Sequence, residues 1–247
     1  MMSSRFLPVS FLTAVLFLFS CTGNEEKTST DKMSSDSTTT TTATTEPVTS
    51  STIITTPQSM LVVTHKVNNF TKWKASYDAH DSMRLANGMH SYVIGRGVQD
   101  SNTVLVAVKA DDIAKAKAFA KDPSLKAAMQ KGGVTGTPSF EFVTMTYQDT
   151  AVITSSLRSR TTFAVKDWNA WQKSFEEGKQ LRMDNGIMLR AYGHDADDNK
   201  KVSVVTAIMD SAKASAYWKS DTLKKRREAS GVIGEPKRFL FRIVQRY

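Results

Sequence analysis

Polar and apolar positions along residues 60–149 alternate first with the period of a strand, then with that of a helix, and the same succession returns across residues 150–247. Met60–Val67 reads as a β-rich stretch. The segment "FTKWKASYDAHDSMRLANG", Phe70 to Gly88, reads as one amphipathic helix closed by Asn-Gly, a pair that takes the left-handed conformation. At about 100° per residue, Phe70, Trp73, Tyr77, His80 and Arg84 share one face, so an apolar stripe runs into an imidazole and a guanidinium. Two strands follow, "MHSYVIGRG" and "TVLVAVK", with a polar spacer that suits a hairpin loop. A second helix opens at the N-cap Asp112 and runs to Gly133, and Ser139–Tyr147 is the final strand. In the second half the corresponding pieces are Ile153–Val165, a helix carrying Trp168, Trp171, Phe175, Gly178 and Arg182, the strands "IMLRAYGHD" and "KVSVVTAIM", a helix from Asp210 to Gly231, and Arg238–Tyr247.

The correspondence is a gapless shift of 98 residues: Trp73 falls on Trp171, Arg84 on Arg182, and "GVTGTP" on "GVIGEP". Between 67–138 and 165–236, 22 of 72 positions are identical, far above chance, so the chain is an internal duplication. Each unit has the ferredoxin-like order βαββαβ. A sheet with both helices on one side leaves its other face bare, and the second copy supplies the cover. The expected architecture is α+β: two tandem ferredoxin-like units, residues 60–149 and 150–247, packed sheet to sheet as an intramolecular dimeric α+β barrel.

The first twenty residues change the setting. A short n-region with Arg5 precedes the apolar run "FLPVSFLTAVLFLF", which reads as an export signal. It ends in "LFSC", which resembles the lipobox of bacterial lipoprotein precursors, whose cysteine is acylated and becomes the mature N-terminus. Cys21 is the sole cysteine and has no disulfide partner within the chain. Residues 21–59 are rich in Ser and Thr and bury too little to offset chain entropy, so they are expected to form a disordered tether. The expected location is therefore the bacterial cell envelope, lipid-anchored through Cys21, at the outer membrane or cell surface.

The net charge of +9 is uneven: residues 151–247 carry 19 Lys and Arg against 11 Asp and Glu. A basic half near an anionic envelope suits acidic ligands, while export makes nucleic acid an unsuitable partner. Lys224 to Arg227, "KKRR", sits on an expected helix and reads as a solvated face.

Unit one, through "THKVNNFTKWKASYDAHDSMRLANG", "DSNTVLVAV" and "LKAAMQKGGVTGTP", resembles the dimeric α+β barrel proteins of the antibiotic-biosynthesis-monooxygenase-like superfamily, its cyclase-like members above all. The resemblance implies the barrel fold. It leaves the chemistry open, since such proteins include cofactor-independent oxygenases, haem-degrading enzymes and members without assigned activity.

Two candidate sites follow. His80 and His65 have no histidine counterpart in unit two, where Gly178 and Phe163 stand. If the Val63–His65–Val67 face of the first strand packs toward the helix, both rings and Arg84 meet, a set able to hold an anion or move a proton near neutral pH. Arg84 and Arg182 also suit a structural role, closing the helix dipole. The second candidate comes from strand alternation. His90, Tyr92, Ile94 and Arg96, with their counterparts Met188, Arg190, Tyr192 and His194, are expected to face the space between the sheets, and Met89, Ser91 and Val93 to lie under the helices. Tyr92, Arg96, Arg190, Tyr192 and His194 are the ligand-binding set of that reading. No nucleophile triad, phosphate loop, dinucleotide fingerprint or zinc signature is present, so no cofactor or metal is expected. The leading expectation is an envelope lipoprotein that binds a small anionic or aromatic ligand. The alternatives are a cofactor-independent monooxygenase or cyclase-like enzyme with a histidine base in unit one, and a structural or protein-interaction module.

Overall fold

The computed structural model describes residues 51–247, so the signal segment, Cys21 and residues 22–50 of the expected tether lie outside it, while residues 51–59 include strand rather than the disordered chain expected there. Pairing begins before residue 60: β1 (Ile53–Ile54) lies antiparallel to Gln148 and Asp149, and Thr52 Oγ1 donates to Asp149 Oδ1 at 3.2 Å. Unit one continues with β2 (Gln58–Val67), α1 (Phe70–Ala79), α2 (Asp81–Ala86), β3 (Met89–Gly97), β4 (Thr103–Ala110), α3 (Ile113–Phe119), α4 (Pro123–Lys131) and β5 (Val134–Asp149). Unit two repeats this as β6 (Leu157–Val165), α5 (Trp168–Glu177), α6 (Lys179–Asp184), β7 (Ile187–Asp195), β8 (Lys201–Ile208), α7 (Ser211–Trp218), α8 (Asp221–Ala229) and β9 (Val232–Arg246). No helix among the described residues is long and apolar enough to cross a membrane.

Each helix expected as one piece is two. The break between α1 and α2 has a local cause. His80 Nδ1–H donates to the Ser76 carbonyl at 2.6 Å, the acceptor that the backbone N–H of residue 80 would use in an unbroken helix. That N–H turns instead to Tyr77 O at 3.3 Å. Between α3 and α4 the interruption is Pro123, which has no N–H to continue a helix and suits a first helical turn. Asp122 caps α4 by accepting from Ser124 N at 2.7 Å. Gly88 and Gly186 close the aromatic helices with φ of 67° and 69°.

The strands form two four-stranded antiparallel sets, β5-β2-β4-β3 and β9-β6-β8-β7. The sets do more than face each other. Hydrogen-bonded seams β3–β9 and β5–β7 join their edges, so the eight strands close into one barrel with the helices outside. The length of β5 and β9 makes this possible: each pairs with its own unit first and with the other unit at its far end. The seams are equivalent, with Val143 opposite Asp195 in one and Phe241 opposite Gly97 in the other. Closure satisfies edge groups that would otherwise template aggregation. Met60, Val62, Leu105, Val143, Met145 and Phe241 fill the barrel. Outside it, Leu61, Val63, Trp73 and Val106 pack under the helices of unit one, and Val165, Trp171, Val202 and Val204 under those of unit two.

Candidate functional site

The helix-to-sheet layer of unit one encloses a cavity of about 80 Å³ with His65, Trp73, Tyr77, His80 and Arg84 on its wall. The expected meeting of His65, His80 and Arg84 is therefore present. The rest of the wall is almost wholly apolar, including Val63, Met89, Phe119 and Met129. Among the described residues no three His, Cys, Asp or Glu side chains gather into a metal-binding group.

His65 points from β2 into this layer and packs 5.3 Å from Trp73. It is 6% exposed, and neither ring nitrogen has a hydrogen-bond partner. Burial favours the neutral ring and lowers its pKa from 6.5 to about 4. Between those values the unfolded chain binds the proton and the folded one does not. Stability is thus full above about pH 6.5 and is lost as pH falls toward 4, by about 3 kcal/mol in all. Replacing the ring by the residue that unit two carries, His65→Phe, should flatten the urea midpoint between pH 4.5 and 7. An unaltered slope in that variant would place the acid sensitivity elsewhere.

His80 lines the same cavity. Because its Nδ1–H is committed to Ser76, Nε2 is the ring's acceptor. Each nitrogen of Arg84 has a protein partner: Nε donates to Ser91 Oγ at 3.2 Å, Nη1 to Tyr77 O at 2.7 Å and Nη2 to Asp81 Oδ1 at 2.9 Å. Its guanidinium also lies 3.6 Å over the Tyr77 ring. It ties α2 to β3 and to the end of α1, contacts that fit the structural role.

The inter-sheet set is only partly brought together. β3 and β7 carry equivalent β-bulges, between Ser91 and Val93 and between Leu189 and Ala191. Each bulge puts two successive residues on the barrel side, Tyr92 with Val93 and Arg190 with Ala191, where they line an interior cavity of about 90 Å³. Every later side chain is then reversed relative to simple alternation. Arg96 consequently lies on the helix side, 4.3 Å over Phe70, with Nε donating to Ser101 O. Tyr192 packs among Trp168, Trp171 and Phe175, and His194 meets Trp168 edge-on at 4.8 Å. Arg96, Tyr192 and His194 thus leave the inter-sheet space, Val93 enters it, and His90 pairs at the surface with Asp111. Inside the barrel Arg190 pairs with Asp149 at 2.8 Å, and Arg160 makes a two-pronged pair with Glu141. These charges answer one another rather than a ligand.

A second helix-to-sheet cavity, about 120 Å³, occupies the equivalent place in unit two. Arg182, Arg226, Arg227 and Arg238 line it. Arg226 and Arg227 escape sequence reading by charge alone, since "KKRR" suits a solvated face, and Arg238 stands apart from that run on β9. The usable signal is position: Arg226 and Arg227 stand three and four residues after Leu223, on the face that this apolar residue turns inward.

No protein-family model matches the chain, and no curated protein matches it. Among solved structures, a protein from Fusobacterium nucleatum provisionally named a monooxygenase is 12% identical, with 76% of this chain and 93% of that one aligned at a TM-score of 0.52. An anthrone oxidase-like protein is 15% identical, over 78% of this chain and 94% of that one, also at 0.52. At such identities the likeness is one of fold: the chain has the α+β barrel fold of these two proteins, with both ferredoxin-like halves on one polypeptide.

Proposed function

We propose that the unit-one cavity is an active site for general-base chemistry on a small, largely apolar aromatic molecule, with no resident cofactor. The observation that carries this is the pair of imidazoles on an otherwise apolar wall. The substrate would lose a proton from a phenol, or from a C–H activated by a carbonyl, to His80 Nε2. His65, neutral and unpartnered, would present its N–H to the oxyanion that forms, in surroundings where water competes little. In a monooxygenase outcome this anion gives its electrons to dioxygen, so that a CH₂ becomes C=O while the second oxygen atom leaves as water. In a cyclase-like outcome it attacks a carbonyl carbon of the same molecule, whose C=O π pair moves to oxygen and takes the proton back from His80. Arg84 is a positioning residue in both, holding α2 and hence His80 against the sheet.

Exchange of carbon-bound substrate protons for deuterium, followed by NMR on the full chain with a panel of small aryl ketones, tests proton abstraction independently of later steps. The wild-type chain should accelerate exchange for members of the panel, and His80→Gln should lower that rate by about 10²–10⁴-fold. No acceleration by the wild-type chain, or an equal rate in His80→Gln, would sink the reading.

We further propose that the protein works at the bacterial envelope, held by lipid on Cys21, as its first 21 residues suggest. Cys21→Ser should then move the chain from the membrane fraction to the soluble one; a variant that still sediments with membranes argues against the anchor.

A further inference from the structure

We infer that the unit-two cavity is an anion site for a small molecule with a flat apolar body and one phosphate-like oxyanion group. The two helix-to-sheet cavities have walls that correspond position by position at the 98-residue shift, yet their chemistry is reversed. Ala128, Met129 and Phe140 of the first are replaced by Arg226, Arg227 and Arg238. Leu61, Val63 and Val108 are replaced by Ser159, Thr161 and Thr206, which add hydroxyls.

Arg182 is the central observation. It is 8% exposed, and its Nε and Nη2 have no partner. The cause lies in the repeat: Ser91 and Asp81, which satisfy Arg84, have become Leu189 and Lys179. Only Nη1 is used, donating to Phe175 O at 2.5 Å, while the guanidinium stacks 3.7 Å from the Phe175 ring. Arg238 lies 4.0 Å over Trp218 and its buried Nε is likewise unpartnered. Arg226 Nη2 takes the carbonyl of Ser174 at 3.2 Å, the acceptor whose unit-one equivalent serves His80. Gly178 is what admits it, because a Cβ there would stand 2.7 Å from Arg226 Nη2. Loss of the histidine and gain of the arginine are one exchange.

Among the described residues none of these four arginines has a carboxylate within ion-pair reach, and no acidic residue lines the cavity. Glu176 acts on Arg182, and Glu235 on Arg227, only through space. Burial and mutual repulsion hold Arg238 down to about 10, and burial holds Arg182 there too. Clustered guanidinium groups with free donors cost stability until an oxyanion supplies acceptors, and their planar forks match phosphate and carboxylate. Trp171, Phe175, Tyr217 and Trp218 form apolar walls beside them, which selects a ligand with a flat body. This inference does not rest on the chemistry proposed for unit one.

Calorimetry and thermal unfolding of the full chain with phenyl phosphate, inorganic phosphate and benzyl alcohol, at constant ionic strength, test it. Phenyl phosphate should bind saturably and raise Tm, inorganic phosphate should bind more weakly, and benzyl alcohol should have no effect. Arg227→Gln and Arg238→Gln, neither of which is fully buried, should each weaken phenyl phosphate by about tenfold or more. Lys224→Gln removes the same charge from the exposed face of α8 and should change affinity less than twofold. The inference fails if sodium chloride gives the same Tm rise, if both arginine variants bind as the wild type does, or if Lys224→Gln loses as much as they do. Competition by phosphatidylglycerol vesicles would assign the group to a lipid headgroup, and its absence to a soluble phosphate ester; either outcome keeps the site.

Discussion

Gly193→Ala should open the barrel at the β5–β7 seam. A Cβ at Gly193 would overlap the carbonyl oxygen of Thr144 and stand 2.7 Å from Met145 Cα. Both are backbone atoms of the facing strand, where Met145 is the partner of Gly193, so no side-chain rotation relieves the overlap. The strands must separate, and the pairings from Val143 to Gln148 go with them. The expected loss is about 3 kcal/mol or more, or roughly 10 °C in Tm for a chain of this size. Two companions grade the effect. Gly95→Ala, the equivalent site in the other seam, overlaps Cδ2 of the Phe241 ring and stands 2.9 Å from its Cε2, a side chain rather than backbone. A ring can give way, so the cost should be smaller. Gly136→Ala meets nothing within 4 Å and has only its φ of +68° against it, about 1 kcal/mol. Urea denaturation should therefore rank Gly193→Ala as most harmful and Gly136→Ala as least. If the first and last are equal, the seam is not the rigid element described.

Trp171→Ala should be almost as severe, at about 4 kcal/mol. The indole is 2% exposed and boxed by Phe163 at 5.5 Å, Trp168 at 5.3 Å, Phe175 at 4.9 Å and Tyr192 at 5.9 Å between ring centroids. The stacked and edge-on arrangements add to what area burial supplies. Collapse into the vacated space is limited because the box is shared between β6, α5 and β7, whose positions the barrel fixes. Trp171→Phe, which keeps a ring in the box, should recover more than half of the loss. Full loss in the Phe variant would mean that shape rather than aromatic burial governs the site.

Much of this arrangement is legible in the chain itself. The 98-residue shift is enough to give two βαββαβ units, and the duplication explains why each sheet finds a cover. The aromatic stripe that runs through Trp73 to His80 and Arg84 correctly points at a shared cavity, because helix periodicity survives the break at residue 80. Strand alternation does not survive in the same way. One extra residue at Tyr92, and again at Arg190, reverses the facing of everything that follows, and neither bulge is announced by glycine or proline. Arg96, Tyr192 and His194 were therefore legible as exposed to one side or the other, but not as to which. The arginines of unit two were hidden differently. Lys224 and Lys225 are solvated, whereas Arg226 and Arg227 turn toward the sheet, and the division within "KKRR" emerges only when Leu223 fixes the inward face of α8.

β9 is the strand that two others wait for. It hydrogen-bonds both to β6, about 75 residues upstream, and to β3, about 150 residues upstream. A nascent chain stopped anywhere short of it carries the rows of unmet N–H and C=O groups on β3 and β6. Folding of the native state is in this sense a whole-chain event and is slow for its size, as long-range pairing makes it. Products that lack β9 would advertise themselves to proteases and to one another by those open rows, so the topology carries its own check that this strand has been made.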